Sequence, residues 1–185
     1  EEALFEIRAG FWILPSFLGG DLRKYAETEA ASSPYAFTDL IESLENLGFE
    51  FVFVDLAPGL GTFEQSAIAS MDRALLILEP EYLSVDGLGG LLEDIAEVIR
   101  KRRALVRYNW LVANRINVGF TRHNVYLEAL AKKWSDYTIF QVRQGAKVSE
   151  AQTMHSPLEM YAPKDKRALP GYKEIAEAIR REYGK

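Results

Sequence analysis

Apolar and polar positions along the chain follow two alternating periods. Phe11-Trp12-Ile13-Leu14 is a short apolar run stopped by Pro15, which predicts a brief strand. From Phe37 the period lengthens: Phe37, Leu40, Ile41, Leu44 and Leu47 recur at helical spacing. Ser33-Pro34 supplies a cap and first-turn proline for that helix, and Gly48 a C-terminal stop. The next segment, Phe49 to Leu56, holds four consecutive apolar residues, Phe51-Val52-Phe53-Val54. A strand apolar on both faces belongs in a parallel sheet covered by helices on each side.

The alternation continues to the end of the chain. Ala74 to Leu78 predicts a second buried strand, followed by a long helix from about Ser84 to Arg103. Trp110 to Ala113 predicts a third strand, Asn124 to Trp134 a helix, and Thr138-Ile139-Phe140 a further strand. Tyr172, Ile175, Ala176, Ile179 and Tyr183 mark a closing amphipathic helix. Strands alternating with helices imply right-handed crossovers and an α/β fold: a doubly wound, mainly parallel sheet with helices on both faces. No repeat, linker or low-complexity tract interrupts it, so the expectation is one domain over residues 1–185.

Composition narrows the chemistry. There is no cysteine, which excludes disulfides, thiolate metal sites and cysteine nucleophiles. His123 and His155, the only histidines, lie far apart without ligand-spaced carboxylates, which argues against zinc or iron. No apolar run reaches the roughly 18–20 residues that cross a bilayer. A cytoplasmic location without membrane attachment is expected. The net charge of −5 is uneven: residues 1–100 carry 19 acids and 5 bases, residues 101–185 carry 8 acids and 17 bases. Such asymmetry either gives a surface that meets a polyanion on one side or cancels within the fold.

Ligands of open parallel sheets bind beyond the carboxyl ends of the strands. Asp55 closes the apolar run, and Pro58, Gly59 and Gly61 follow it. A carboxylate there can hold a magnesium-bound water, and glycine lets backbone approach a phosphate. The alternative is a carboxylate that caps a turn. Asn114-Arg115 ends another strand; the asparagine amide suits an adenine edge or simply forms a turn.

Several stretches, in order, resemble the ParA/MinD family of partitioning ATPases. Phe51 to Asp55 with Pro58-Gly59-Leu60-Gly61 is similar to the family's Walker B strand and the loop after it, Leu56-Ala57 replacing a small-residue–proline pair. Glu79-Pro80-Glu81-Tyr82 is similar to the Gln-Pro-Glu-Tyr segment that opens a helix. Lys147 to Ala151, His155 to Leu158 and Tyr161-Ala162-Pro163-Lys164 follow the family's late pattern in spacing. The resemblance runs from about Phe11 to Tyr183.

It implies a P-loop NTPase-like fold that binds ATP and magnesium and forms a homodimer on the nucleotide. Action in DNA partitioning with a ParB-like adaptor protein is implied as well. Carried over, Asp55 is the catalytic-site carboxylate that meets magnesium through water. Pro58, Gly59, Asn114 and Arg115 fall around the nucleotide. Lys147 matches a basic position that contributes to non-specific DNA binding. Arg143 and Gln144 stand where many members have Pro-Arg. Lys101, Arg102, Arg103, Arg107, Lys164, Lys166 and Arg167 are further candidates for phosphate contact, read from charge alone.

One motif of the family is missing from these residues. Gly-x-x-x-x-Gly-Lys-[Ser/Thr], whose backbone and lysine cradle the phosphates, occurs nowhere in the 185 residues. The expectation is therefore the C-terminal portion of a larger ATPase domain, N-terminal strands missing. The intact protein would hydrolyse ATP; this stretch alone would not do so efficiently. Two other roles stay open: a MinD-like positioning ATPase, and a non-enzymatic interaction module that kept the fold.

Overall fold

A computed structural model of the chain describes residues 4–15 and 35–184. The expected Ser33-Pro34 cap lies outside the described residues. The fold divides into two compact units, one ending at Ser70 and one beginning at Met71.

In the first unit, β1 (Phe5–Arg8) and β2 (Phe11–Ile13) form an antiparallel hairpin. Gly10 turns it at φ +75°, a conformation glycine adopts without strain, and its N–H donates to Glu6 Oε1 at 3.2 Å. The β1 half was not foreseen from sequence. Trp12 packs edge-on against Phe49, with centroids 6.2 Å apart.

Helix α1 (Ala36–Asn46) is the one the apolar period predicts. Its end is a Schellman stop: Gly48, at φ +89°, donates to the Glu45 carbonyl, and Phe49 N–H reaches back to that of Leu44. Helix α2 (Thr62–Ala69) meets α1 through Phe37 on Phe63, rings 5.5 Å apart, and through Thr38 Oγ1 against Ser70 Oγ at 2.8 Å.

The strand expected over Phe49 to Leu56 does not form. Residues 51–57 join no ladder. The rings of Phe51 and Phe53 stack on one side 6.4 Å apart, as i and i+2 side chains do on extended backbone. Phe53 is nonetheless 74% exposed and Val52 38%. β-Propensity fits a chain to a pleated surface; only pairing makes it a strand, and no described strand pairs with this run.

The second unit carries the sheet, parallel and in the order β3 (Arg73–Leu78), β4 (Arg107–Ile116), β5 (Thr138–Arg143). Helix α3 (Tyr82–Arg102) links β3 to β4, and α4 (Thr121–Lys133) links β4 to β5. Helices α5 (Ala146–Thr153), α6 (Leu158–Tyr161) and α7 (Leu169–Tyr183) follow. Side chains alternate across β4, so the sheet buries both faces. Trp110 and Val112 pack with Phe140, Val142 and the Ala168 and Ala178 of the α7 region. Leu111 packs with Leu88 and Leu92 of α3 and Leu130 of α4. Each buried Val, Leu or Phe side chain among them contributes roughly 2 kcal/mol. Arg73 and Arg107, at the amino ends of their strands, share Glu182 and fasten the end of α7.

Candidate functional site

Asp55 lies on the unpaired extended run, not at the end of a laddered strand as expected; its carboxylate is exposed. The chain then turns through Pro58 and Gly59, both exposed. Gly59 takes φ +142°, strained for any side chain, so this turn requires glycine. Gly61 starts α2 as its N-cap, and Gln65 Nε2 donates to the Leu60 carbonyl at 2.8 Å. The segment therefore presents a free carboxylate, a glycine turn and a helix start in succession.

The donor set fits one side of a magnesium–phosphate site. Magnesium is commonly held by one or two carboxylates, with waters and the substrate's phosphates completing its shell. Asp55 supplies one unengaged carboxylate, and among the described residues no cluster of three or more metal-binding side chains occurs.

In the second unit, charged and polar groups gather where the parallel strands end. Asn114 and Arg115, expected just past a strand, lie within the last residues of β4. There the pairing skips a residue between Ala113 and Ile116, and Arg115 adopts φ +56°. Asn114 Oδ1 accepts the Arg115 N–H at 2.9 Å and so serves the bulge, which leaves the amide NH2 for other work. Arg115 Nη1 meets Glu79 Oε1 at 2.9 Å.

Next to them sits a histidine that sequence reading considered only as a metal ligand. His123 is 4% exposed; its Nδ1 accepts the Asn117 N–H at 3.1 Å, so the neutral ring carries its proton on Nε2. That nitrogen lies 3.8 Å from Glu81 Oε1, which Arg122 also approaches at 3.5 Å. Glu79 and Glu81 thus tie the loop after β3 to the end of β4 and the start of α4, pairings too remote in sequence to read from it.

Beyond the end of β5 a groove of about 540 Å³ opens, lined by Lys147, Lys164, Lys166 and Arg167. Lys147, on the first turn of α5, pairs with Glu150 at 2.6 Å, and Tyr161 donates to the same carboxylate at 2.8 Å. Contact with Glu150 raises the Lys147 pKa and Lys147 lowers that of Glu150, so both remain charged at neutral pH. Four of the basic candidates therefore share one surface. Lys101, Arg102 and Arg103 do not join it: they end α3, ahead of the amino end of β4, and Lys101 is engaged by Glu97 at 2.6 Å.

A parallel sheet covered on both faces, with charged side chains collected beyond its carboxyl ends, defines an α/β ligand-binding domain of the open-sheet class. A family model described as an AAA domain matches residues 21–107. An uncharacterised protein of Borreliella burgdorferi is 30% identical over 91% of this chain and 68% of its own length. A ParA family protein of Mycoplasma genitalium is 25% identical over 97% of the chain and 67% of its own. The chromosome-partitioning ATPase Soj of Thermus thermophilus is 24% identical over 83% and 61%. Among solved structures, apo McdA of Cyanthece superposes at TM-score 0.78 with 16% identity, covering 94% of this chain and 71% of McdA. The cell division ATPase MinD of Pyrococcus furiosus does so at 0.69 with 21% identity, covering 97% and 70%. The chain belongs to the ParA/MinD family. The curated relatives include two named as ParA family proteins, one as a chromosome-partitioning ATPase and one as a putative MinD, and they support a ParA-like partitioning function.

Proposed function

We propose that this chain forms the greater part of a ParA-like partitioning ATPase whose whole protein binds ATP with magnesium, dimerises on it and holds DNA without reading sequence. What carries this is the relationship to ParA and Soj proteins along most of the chain. Asp55 would hold a magnesium-bound water, beside the turn at Pro58 and Gly59. The magnesium, when bound, neutralises phosphate charge. Asn114 would offer its free amide NH2 to the adenine edge, with Arg115 held beside it by Glu79. The groove of Lys147 and Lys164 would meet DNA phosphates, in a unit with 19 Lys and Arg against 15 Asp and Glu. A ParB-like adaptor is the partner expected of such a protein.

The MinD-like alternative needs an apolar helix face free for a lipid surface. The stripe of α7 is already used: Ile175 and Ile179 pack on the core around Trp110 and Phe140. No described helix is long and apolar enough to cross a membrane.

The test is equilibrium binding of a fluorescent ATP analogue by the full-length protein, with magnesium and with EDTA. Magnesium should tighten binding in the wild type and lose that effect in Asp55→Ala. An unchanged magnesium dependence in the variant would remove Asp55 from the site.

A further inference from the structure

The four cations of the groove are not equivalent. Among the described residues, Lys164, Lys166 and Arg167 form no ion pair within 4 Å, whereas Lys147 does; Asp165 also lines the groove and acts on the Arg167 side chain and on Lys147 through its charge alone. Its ammonium sits 2.6 Å from Glu150 Oε2, one turn further along α5. Tyr161, brought over by α6, donates its hydroxyl to that same oxygen at 2.8 Å, and its ring lies 5.8 Å from the ammonium. One carboxylate oxygen thus receives two donors, and the tyrosine holds it where it neutralises the lysine.

A duplex phosphate that reaches Lys147 must displace Glu150, and the displaced carboxylate then stands beside the phosphate as a like charge. Contact at this lysine gains little, because one anion is exchanged for another and the loser stays nearby. The counterion account gives the same result: affinity rises, and falls with salt, according to the number of phosphates neutralised. A lysine already neutralised by its own chain adds little to that number. Glu150 remains ionised well into acid, because Lys147 first and Tyr161 second hold its carboxyl below the usual range. The competition therefore operates across the neutral range.

Building on the DNA-binding reading above, we propose that Glu150, held by Tyr161, is a built-in competitor for duplex DNA at Lys147 that keeps binding in this groove weak and quickly reversible. A protein that must release DNA in order to move along it has a use for such a brake.

The test is equilibrium binding of a fluorescein-labelled duplex by the full-length protein across a salt series. Wild type, Glu150→Gln, Lys147→Gln and the double variant are compared. Glutamine keeps an acceptor for Tyr161 and removes only the charge; thermal melting checks that each variant folds. Glu150→Gln should tighten binding several-fold at low salt and steepen the log–log salt dependence by about 0.9, one phosphate contact. In the Lys147→Gln background the same change should do nothing, since the competitor then has no lysine to mask. Tyr161→Phe, which frees the carboxylate without neutralising it, should act in the same direction but less. Equal tightening in both backgrounds would mean a general charge effect and overturn the proposal. If Lys164→Gln weakens binding but Glu150→Gln leaves it unchanged, the competitor is disproved while the groove stands. If none of these substitutions changes binding, the groove is not a DNA surface, and the DNA-binding reading falls with the proposal.

Discussion

Asp165 is a small case of one carboxylate organising a helix. Its Oδ2 accepts the N–H groups of Arg167, Ala168 and Leu169 at 3.2, 2.8 and 3.0 Å, at the start of α7, where main-chain donors lack helical partners. The Leu169 N–H first, with the others adding, holds the carboxyl below its usual range. A depressed carboxyl contributes stability that is fully present above its unfolded pKa and is lost as pH falls through the folded one. Asp165→Ala should therefore cost about 1 kcal/mol at neutral pH, the usual scale for a lost cap. In acid, where the wild-type carboxylate is itself protonated, the two melting temperatures should converge. A gap that persists unchanged in acid would show that shape, and not charge, is what Asp165 supplies.

At the scale of elements, α7 is seated by the absence of a side chain. A Cβ on Gly171 would fall 2.3 Å from the Gln141 carbonyl oxygen and 3.0 Å from Val142 Cα, both backbone of β5. Inside an exposed helix, glycine to alanine gains up to about 1 kcal/mol. Here the sign reverses, because strand and helix must separate: Gly171→Ala should destabilise by about 1–3 kcal/mol in urea denaturation. A neutral or stabilising result would mean that α7 does not lie this close to the sheet.

Nothing in the apolar pattern marks that glycine, and its silence shows what a sequence does and does not disclose. The strands expected at 74–78, 110–113 and 138–140 formed, each apolar run lying inside a parallel ladder, and in β4 the run is buried on both faces. Phe51-Val52-Phe53-Val54 carries the same signal and forms no ladder, because pairing depends on a neighbour that local composition cannot specify. Asp55 and Lys147 were singled out as candidates through motif order. The Arg115–Glu79 and Glu150–Tyr161 contacts were not: they join residues 36 and 11 positions apart, brought together by the sheet and by α6.

At the scale of the molecule, stability should be unevenly spread. β4 is hydrogen-bonded to strands on both sides, and Leu111 and Ala113 within it are fully buried. The first unit buries far less: among its described residues only Leu44, Ala67 and Ile68 are buried apolar side chains, while Phe53 and Leu47 stand exposed. Amides exchange with solvent according to the free energy of the opening that releases them, and that free energy follows burial and pairing. In hydrogen–deuterium exchange, peptides covering 109–114 should be the last to take up deuterium, and those covering 50–57 should exchange early. The contrast should survive dilution, since it is set within one chain. If residues 50–57 were as protected as β4, the apolar run would have a ladder partner, Asp55 would return to the end of a strand, and the carboxylate proposed to meet magnesium would be held by a sheet instead of an open extended segment.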